Sequence, residues 1–304
     1  MISTLSNTEP TLILILNNFA VDMTLNWLCN TKNIKGVHER SLIVALDPVA
    51  LTKLSEQWPN VKQALWNVPC LQSSFNRGDG NYQLFYLFRS TLAEFLLDAG
   101  KPFWMIQQDT FWRKSLLDVD LTKKKNADLI FDLAGDNLGG LIAGGYYLAR
   151  PTNGSRQFFR QLSNTLLYRY VPDNTLMSSL CATSSETTCD FLDFSLYIFS
   201  IITNWIWVYQ PTEIQWDTLP FLIQFDGDNK LGTKLMRMRE IGFYFLSDDG
   251  ITCNATAVDV SSKMQLYLIC LVSLQKSLYT ILFVKLKKCF AKMSLLKNRK
   301  IGYR

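Results

Sequence analysis

Histidine is almost absent: His38 is the only one in 304 residues. The seven cysteines, at 29, 70, 181, 189, 253, 270 and 289, form no C-x-x-C pair, so a zinc cluster lacks its usual ligands. A serine or cysteine triad would have to use His38, which sits in the polar stretch Val37-His38-Glu39-Arg40 and reads as a surface turn. There is no G-x-G-x-x-G fingerprint, no Walker loop and no G-x-S-x-G elbow, so dinucleotide, P-loop and α/β-hydrolase chemistry have no support. No G-x-y period, internal repeat or low-complexity run is present. Charged residues are few, at 19%, against 48% apolar ones, which excludes a disordered chain.

The net charge of +5 is unevenly placed. Residues 285–304 carry eight bases and no acid, leaving 23 bases against 26 acids, or −3, in residues 1–284. The body is mildly acidic, which argues against a nucleic-acid partner. No signal peptide is visible: the first apolar run, Leu12 to Leu16, is short, lacks a basic flank and follows Glu9-Pro10. Met264 to Val284 approaches the roughly 20 residues of a membrane span. Lys276 interrupts it, at about 2.5–3.5 kcal/mol for insertion. A membrane span and an amphipathic or buried helix with a solvated basic end both fit that segment. Cys181 and Cys189 fit a loop-closing disulfide of an oxidising compartment and fit buried free thiols equally. Asn153 and Asn254 begin N-x-[ST] sequons, which matter only in a lumenal protein.

Between residue 11 and about 250, short apolar runs alternate with helical-period segments, the pattern of an α/β fold. Strands are expected at 11–16, 41–47, 103–109, 127–132, 145–150, 205–209, 221–226 and 242–246. Helices are expected at 21–31, 48–57, around Leu84 to Leu96 with Gly100 as the stop, at 155–168, 173–182 and, rich in bases, 231–240. Ligands of open α/β sheets lie beyond the carboxyl ends of strands. That places Asn17, Asn18, Asp47, Asp109 and Asp226 where chemistry is expected. Gln107-Gln108-Asp109 is the leading candidate: a carboxylate at a strand end can ligate a hard divalent cation, and can equally begin a turn or cap a helix. Asp226 and Asp228, in Phe225-Asp226-Gly227-Asp228-Asn229, form a second acidic strand end that also reads as a tight turn.

Taken in order, six blocks resemble the nucleotide-diphospho-sugar transferase domain, a glycosyltransferase family with a GT-A-like fold, and within it a branch expanded in nematodes. They are TLILILNNFA, GDGNYQLFYLFRSTLAEFLLDAGKPFWMIQQDTFW, NADLIFDLAGDN, GGYYLARPTNGSRQFF, VPDNTLMSSLC and IQFDGDNKLGTKLMRMREIGFYF, and the resemblance as a whole runs from about Thr11 to Val258. The resemblance implies a Rossmann-like open mixed sheet flanked by helices over residues 1–260. An apolar helix at 261–284 and a basic tail at 285–304 would follow. It implies transfer of a sugar from a nucleotide-diphospho-sugar donor to a glycan or glycoprotein acceptor, assisted by Mn²⁺ or Mg²⁺. The setting implied is the Golgi or ER membrane with the domain in the lumen.

Residue by residue, Gln107-Gln108-Asp109 occupies the family's D-x-D motif, with Gln107 in place of the first acid and Asp109 as the surviving metal ligand. Asp109 and Gln108 are the catalytic candidates. The late histidine that many GT-A enzymes add to the metal is missing, and Asp226 or Asp228 is our substitute for it. The resemblance puts Asn17, Asn18, Arg89, Gln107, Gly144 and Gly145 on the nucleotide-sugar, although Arg89 equally suits a surface arginine lying along its helix. Tyr146, Asp173 and Asn174 fall on the acceptor side, although Asp173 also suits a helix cap and the glycines suit close strand packing. Retention of anomeric configuration is implied. The usual family anchor is N-terminal, whereas this chain starts near its first strand. A truncated start, insertion through the C-terminus and a non-lumenal protein all remain open on that point. A degenerate relative that binds without transfer, and a basic-tailed membrane scaffold, are the competing readings.

Overall fold

The computed structural model describes residues 2–76, 78–134, 141–192, 202–204, 221–225, 231–240 and 242–260. The possible span at 264–284, the basic tail, the expected strand at 205–209 and both Asp226 and Asp228 lie outside the described residues. Among the described residues no helix is long and apolar enough to cross a membrane.

The two most apolar runs make the centre of the sheet. β1 (Thr11–Leu16) and β2 (Ser41–Ala45) are buried along their whole length, as expected of parallel strands covered on both faces. Around them β3 (Lys62–Leu65), β4 (Phe103–Ile106), β6 (Leu129–Leu133), β7 (Ile142–Ala149) and β8 (Cys189–Phe191) complete a seven-stranded sheet of order β3-β2-β1-β4-β7-β6-β8. β1, β2, β3 and β4 run parallel, β7 is antiparallel to both neighbours, and β8 is parallel to β6. Alternation along β1 separates two cores: Leu12, Leu14 and Leu16 face one, Ile13 and Ile15 the other.

The helices begin and end on local signals. Asp47 caps α2 (Pro48–Gln57), its carboxylate accepting the Ala50 N–H at 2.8 Å with Pro48 in the first turn. α3 (Gly80–Asp98) stops where Gly100 takes φ +73°, and the Lys101 N–H reaches back to Leu96. Thr152 and Ser155 form a capping box at the start of α4 (Asn153–Tyr168). α1 (Val21–Thr31), α5 (Asp173–Thr183), α6 (Leu231–Glu240) and the short α7 (Ala255–Val260) complete the helices. A smaller sheet of order β5-β10-β9 holds β5 (Thr110–Trp112), β10 (Leu222–Gln224) and β9 (Ile202–Asn204).

Three expectations need correction. Residues 242–246 do not form a strand, apart from a single bridge between Leu246 and Cys253. Phe243 and Phe245 are buried as alternation requires, but the chain lies against α1, and the Asn26 amide takes the place of a neighbouring strand. His38 lies in a turn as expected, but its ring is half-buried rather than open, 5.1 Å from Trp58 and 6.3 Å from Trp27, with Nε2 bonded to Thr31 Oγ1. Asp173 is not the cap of α5 but its first residue, with Pro172 before it. Of the open cysteine question, Cys181 and Cys189 are joined, and a second disulfide links Cys29 to Cys253.

Candidate functional site

Because β1, β2 and β4 are parallel, their carboxyl ends share one edge, and a cleft opens there. Asn17 follows β1 and Gln107, Gln108 and Asp109 follow β4; the buried face of α3 contributes Tyr82, Phe85 and Arg89. Phe75 packs against them, its ring centre 5.7 Å from those of Tyr82 and Phe85, and Lys234 of α6 closes the wall.

Residues 107–109 form the bend at which the chain leaves the large sheet for the small one. The Tyr146 hydroxyl sits 2.7 Å from both the Gln107 carbonyl and the Thr110 hydroxyl, and the Trp112 indole N–H donates to Thr110. On the far side the Phe225 N–H donates to the Asp109 carbonyl at 2.9 Å, extending the β5–β10 pairing. The Gln107 side chain lies over Gly145, where a Cβ would overlap its amide oxygen, and accepts from Gln224 Nε2 at 2.6 Å. Gly145 is therefore a close-approach position for Gln107. Gly144 faces α5 instead, 3.0 Å from the Asn174 Cβ if it carried a side chain.

Asp109 is 6% exposed, and its Oδ2 accepts from Lys234 Nζ at 2.6 Å. Its Oδ1 is buried without a hydrogen-bond partner. A second buried pair joins Arg89 to Asp173: Nε donates to Oδ2 at 3.1 Å and Nη2 to the same oxygen. Burial opposes the guanidinium charge, yet the Asp173 carboxylate outweighs it and holds Arg89 protonated above its ordinary range. The Arg89 guanidinium also lies 5.7 Å and 5.8 Å from the Phe85 and Tyr86 ring centres.

The other sequence candidates fall as follows. Asn17 lines the cleft, but its amide donates to the Leu71 and Ser73 carbonyls and accepts from the Phe19 N–H, which pins the 71–73 loop. Asn18 accepts from Lys53 and donates its backbone N–H to Asp47, so Asp47 both caps α2 and fixes the β1 exit. Tyr146 is fully buried, and burial pushes its hydroxyl upward in pKa. Asn174 accepts from the Thr175 N–H at the start of α5. His38 is not among the residues that line the cleft. Lys234, Gln224 and the aromatic wall of Phe75, Tyr82 and Phe85 were not singled out from sequence; the only signal for Lys234 was the basic character of residues 231–240.

A divalent cation needs about six oxygen ligands close to 2.0–2.6 Å. Asp109 supplies one carboxylate, and its Oδ2 already holds an ammonium. At about 4 Å and an effective dielectric near 20, a doubly charged ion and an ammonium repel by about 8 kcal/mol. Gln107 Oε1 is turned to Gln224, and no group of three His, Cys, Asp or Glu side chains arranged for a metal occurs among the described residues. Only the unpartnered Asp109 Oδ1 favours an ion, and one oxygen is not a coordination sphere. The described residues do not fit a divalent-cation site.

A family model described as nucleotide-diphospho-sugar transferase matches residues 36–238. Among solved structures, an active-site mutant of LgtC superposes with a TM-score of 0.50 at 10% identity, over 72% of this chain and 88% of that one. LgtC, a galactosyltransferase, in complex with donor and acceptor sugar analogues gives 0.47 at 10% identity, over 71% and 87%. The apo form of the glycosyltransferase GlyE of Streptococcus pneumoniae TIGR4 gives 0.48 at 12% identity, over 89% and 64%. No curated protein matches the sequence. The architecture is the GT-A glycosyltransferase fold.

Proposed function

Since the chain belongs to the nucleotide-diphospho-sugar transferase family, we propose that it moves a sugar from a nucleotide diphosphate donor to a hydroxyl of a glycan or glycoprotein acceptor. The observation that carries this reading is the cleft at the carboxyl ends of β1 and β4, where Asp109, Gln107, Gln108, Arg89 and Lys234 meet. In the reaction the bond from the anomeric carbon to the diphosphate oxygen breaks, its electron pair leaving with the nucleoside diphosphate. The acceptor oxygen bonds to the anomeric carbon, and its proton passes to the departing diphosphate.

The chain's own groups act on charge and position. Negative charge grows on the leaving diphosphate, and a fixed cation beside it in a partly dehydrated cleft stabilises the transition state more than the ground state. Among the described residues that line the cleft, Arg89 and Lys234 are the cations. Asp109, with Oδ1 unpartnered, faces the developing positive charge of the sugar ring or an acceptor hydroxyl. Phe75, Tyr82 and Phe85 offer flat apolar surface to the base or a sugar ring. The cofactor the resemblance implies, Mn²⁺ or Mg²⁺, would neutralise the diphosphate, but the described residues do not fit it.

A lumenal site in the Golgi or ER accords with the two disulfides, which persist in oxidising compartments. Exposed Asn153 and Asn254 would be glycan acceptors there, and residues 264–284 would attach the domain to the membrane. A screen of nucleotide sugars, reading release of nucleoside diphosphate, tests the assignment. Asp109→Ala is expected to lose about 10²-fold or more of the wild-type rate; equal release from both proteins contradicts the role of Asp109. Gln107 in place of an acid favours a second reading, a member that binds nucleotide or glycan without transfer. Tight binding with no release of nucleoside diphosphate would select it.

A further inference from the structure

We propose that the Lys234 ammonium is the counter-charge for the donor's diphosphate, so that this site binds a nucleoside diphosphate without a divalent cation. The inference rests on the transferase reading above and concerns how that same cleft handles charge.

Lys234 Nζ lies 2.6 Å from Asp109 Oδ2, within the space a metal ion on that oxygen would need. The side chain is 22% exposed and lines the cleft, so its head reaches both the carboxylate and an arriving ligand. An ammonium carries three donors on a flexible four-carbon stem, and a lysine is a point charge well suited to phosphate oxygens. From that position the head can bridge the Asp109 carboxylate and a phosphate oxygen of a ligand in the cleft. Asp109 is then a positioning residue that aims the ammonium, and its carboxylate offsets the charge of Lys234 until the ligand arrives.

Arg89 is less suited to the task. Its side chain is 6% exposed and that of Asp173 is 3% exposed, so the pair is locked against the far wall by two bonds to one carboxylate oxygen. The loss of the first acid at Gln107 belongs to the same solution. A second carboxylate at position 107 would add negative charge beside Asp109, whereas the Gln107 amide, bonded to Gln224, adds none.

Calorimetric titration of the full chain with UDP, GDP and CDP, in EDTA and in excess Mn²⁺, tests the inference. The nucleoside diphosphate that binds is expected to do so with affinities agreeing within about threefold in the two buffers. Lys234→Met is expected to weaken binding in EDTA by at least about tenfold, while Lys234→Arg keeps most of it. Mn²⁺ restoring affinity to Lys234→Met would support the proposal, because removing the ammonium opens Asp109 to the ion. Wild-type binding that requires Mn²⁺ overturns the inference and leaves the transferase reading intact. Wild-type affinity in a folded Lys234→Met protein overturns it as well. No binding of any of the three in either buffer overturns both readings together.

Discussion

His38 lies between Trp27 and Trp58, and its nearest hydrogen-bond partner is the Thr31 hydroxyl, itself donated to the Trp27 carbonyl of α1. Burial lowers its pKa from 6.5, and the Glu39 charge only partly offsets that effect. The unfolded chain therefore takes up a proton on His38 at a higher pH than the folded chain does. Stability rises with pH wherever the unfolded state holds more protons. The His38 contribution is thus present above about pH 6.5 and is lost as the pH falls through that value and below. Urea midpoints measured across this range should decline on the acid side, and His38→Gln should flatten that slope. An unchanged slope in the variant would assign the acid loss to other groups. The same scale explains why several candidate ligands of the cleft are only partly available to a substrate. Asn17 is consumed by the 71–73 loop, Tyr146 by the bend at Gln107, and Arg89 by Asp173. Each holds the cleft in shape, while Lys234 lines it on the side of Asp109, whose Oδ1 has no hydrogen-bond partner.

α1 shows how an element is placed by side chains that imitate backbone. Asn26 and Asn30 are one turn apart on its buried face. Asn30 donates to the Trp112 carbonyl and accepts from the Trp112 N–H, and Asn26 does the same with Phe243 and Phe245. The helix thus completes the edge of β5 and replaces a strand beside 243–245. Leaving a buried backbone donor and acceptor unpaired costs about 1–3 kcal/mol each. Asn30→Leu is expected to destabilise the chain by about 2–5 kcal/mol, read as a lower urea midpoint at constant slope. A loss below about 0.5 kcal/mol would show that water replaces the amide. The central strands and the long helices were legible in sequence because continuous burial and caps leave a local pattern: Leu12 to Leu16, Leu42 to Ala45, Asp47-Pro48 and Gly100 each announce an element. The strand expected at 242–246 shows the limit of that pattern. The alternation of Phe243 and Phe245 reports burial, not the identity of the neighbour. β3 was missed for the converse reason, since its polar edge residues Lys62 and Gln63 carry no apolar alternation. Asp109 was visible as an acid ending a strand. Its partner Lys234 lies 125 positions away, and no local pattern ties a helix-borne lysine to a distant carboxylate.

The whole molecule is closed by a covalent link of long reach. Cys29 of α1 and Cys253 are 224 positions apart, so their bond joins the first helix to the segment that packs Phe243 and Phe245 against it. Cys181–Cys189 spans only eight positions and ties the end of α5 to the edge strand β8. A cross-link stabilises chiefly by restricting the unfolded chain, and more so for a longer loop. The loop-entropy estimate is about 5 kcal/mol for Cys29–Cys253 and about 2.5 kcal/mol for Cys181–Cys189. Cys29→Ser is therefore expected to cost roughly twice as much stability as Cys181→Ser, with both proteins compared in oxidising buffer. The comparison bears on the compartment, because in a reducing cytosol both links would be open and the chain would lose both contributions together. Expression through the secretory pathway should yield a product whose mass under alkylation shows four protected cysteines. A product from the same pathway with all cysteines alkylated would remove the support for a lumenal site. The excess of bases in residues 285–304 lies beyond the apolar 264–284 segment and leaves residues 1–284 at −3. A mildly acidic body that bound an anionic donor would need local positive charge inside the cleft, and Lys234 beside Asp109 would supply it.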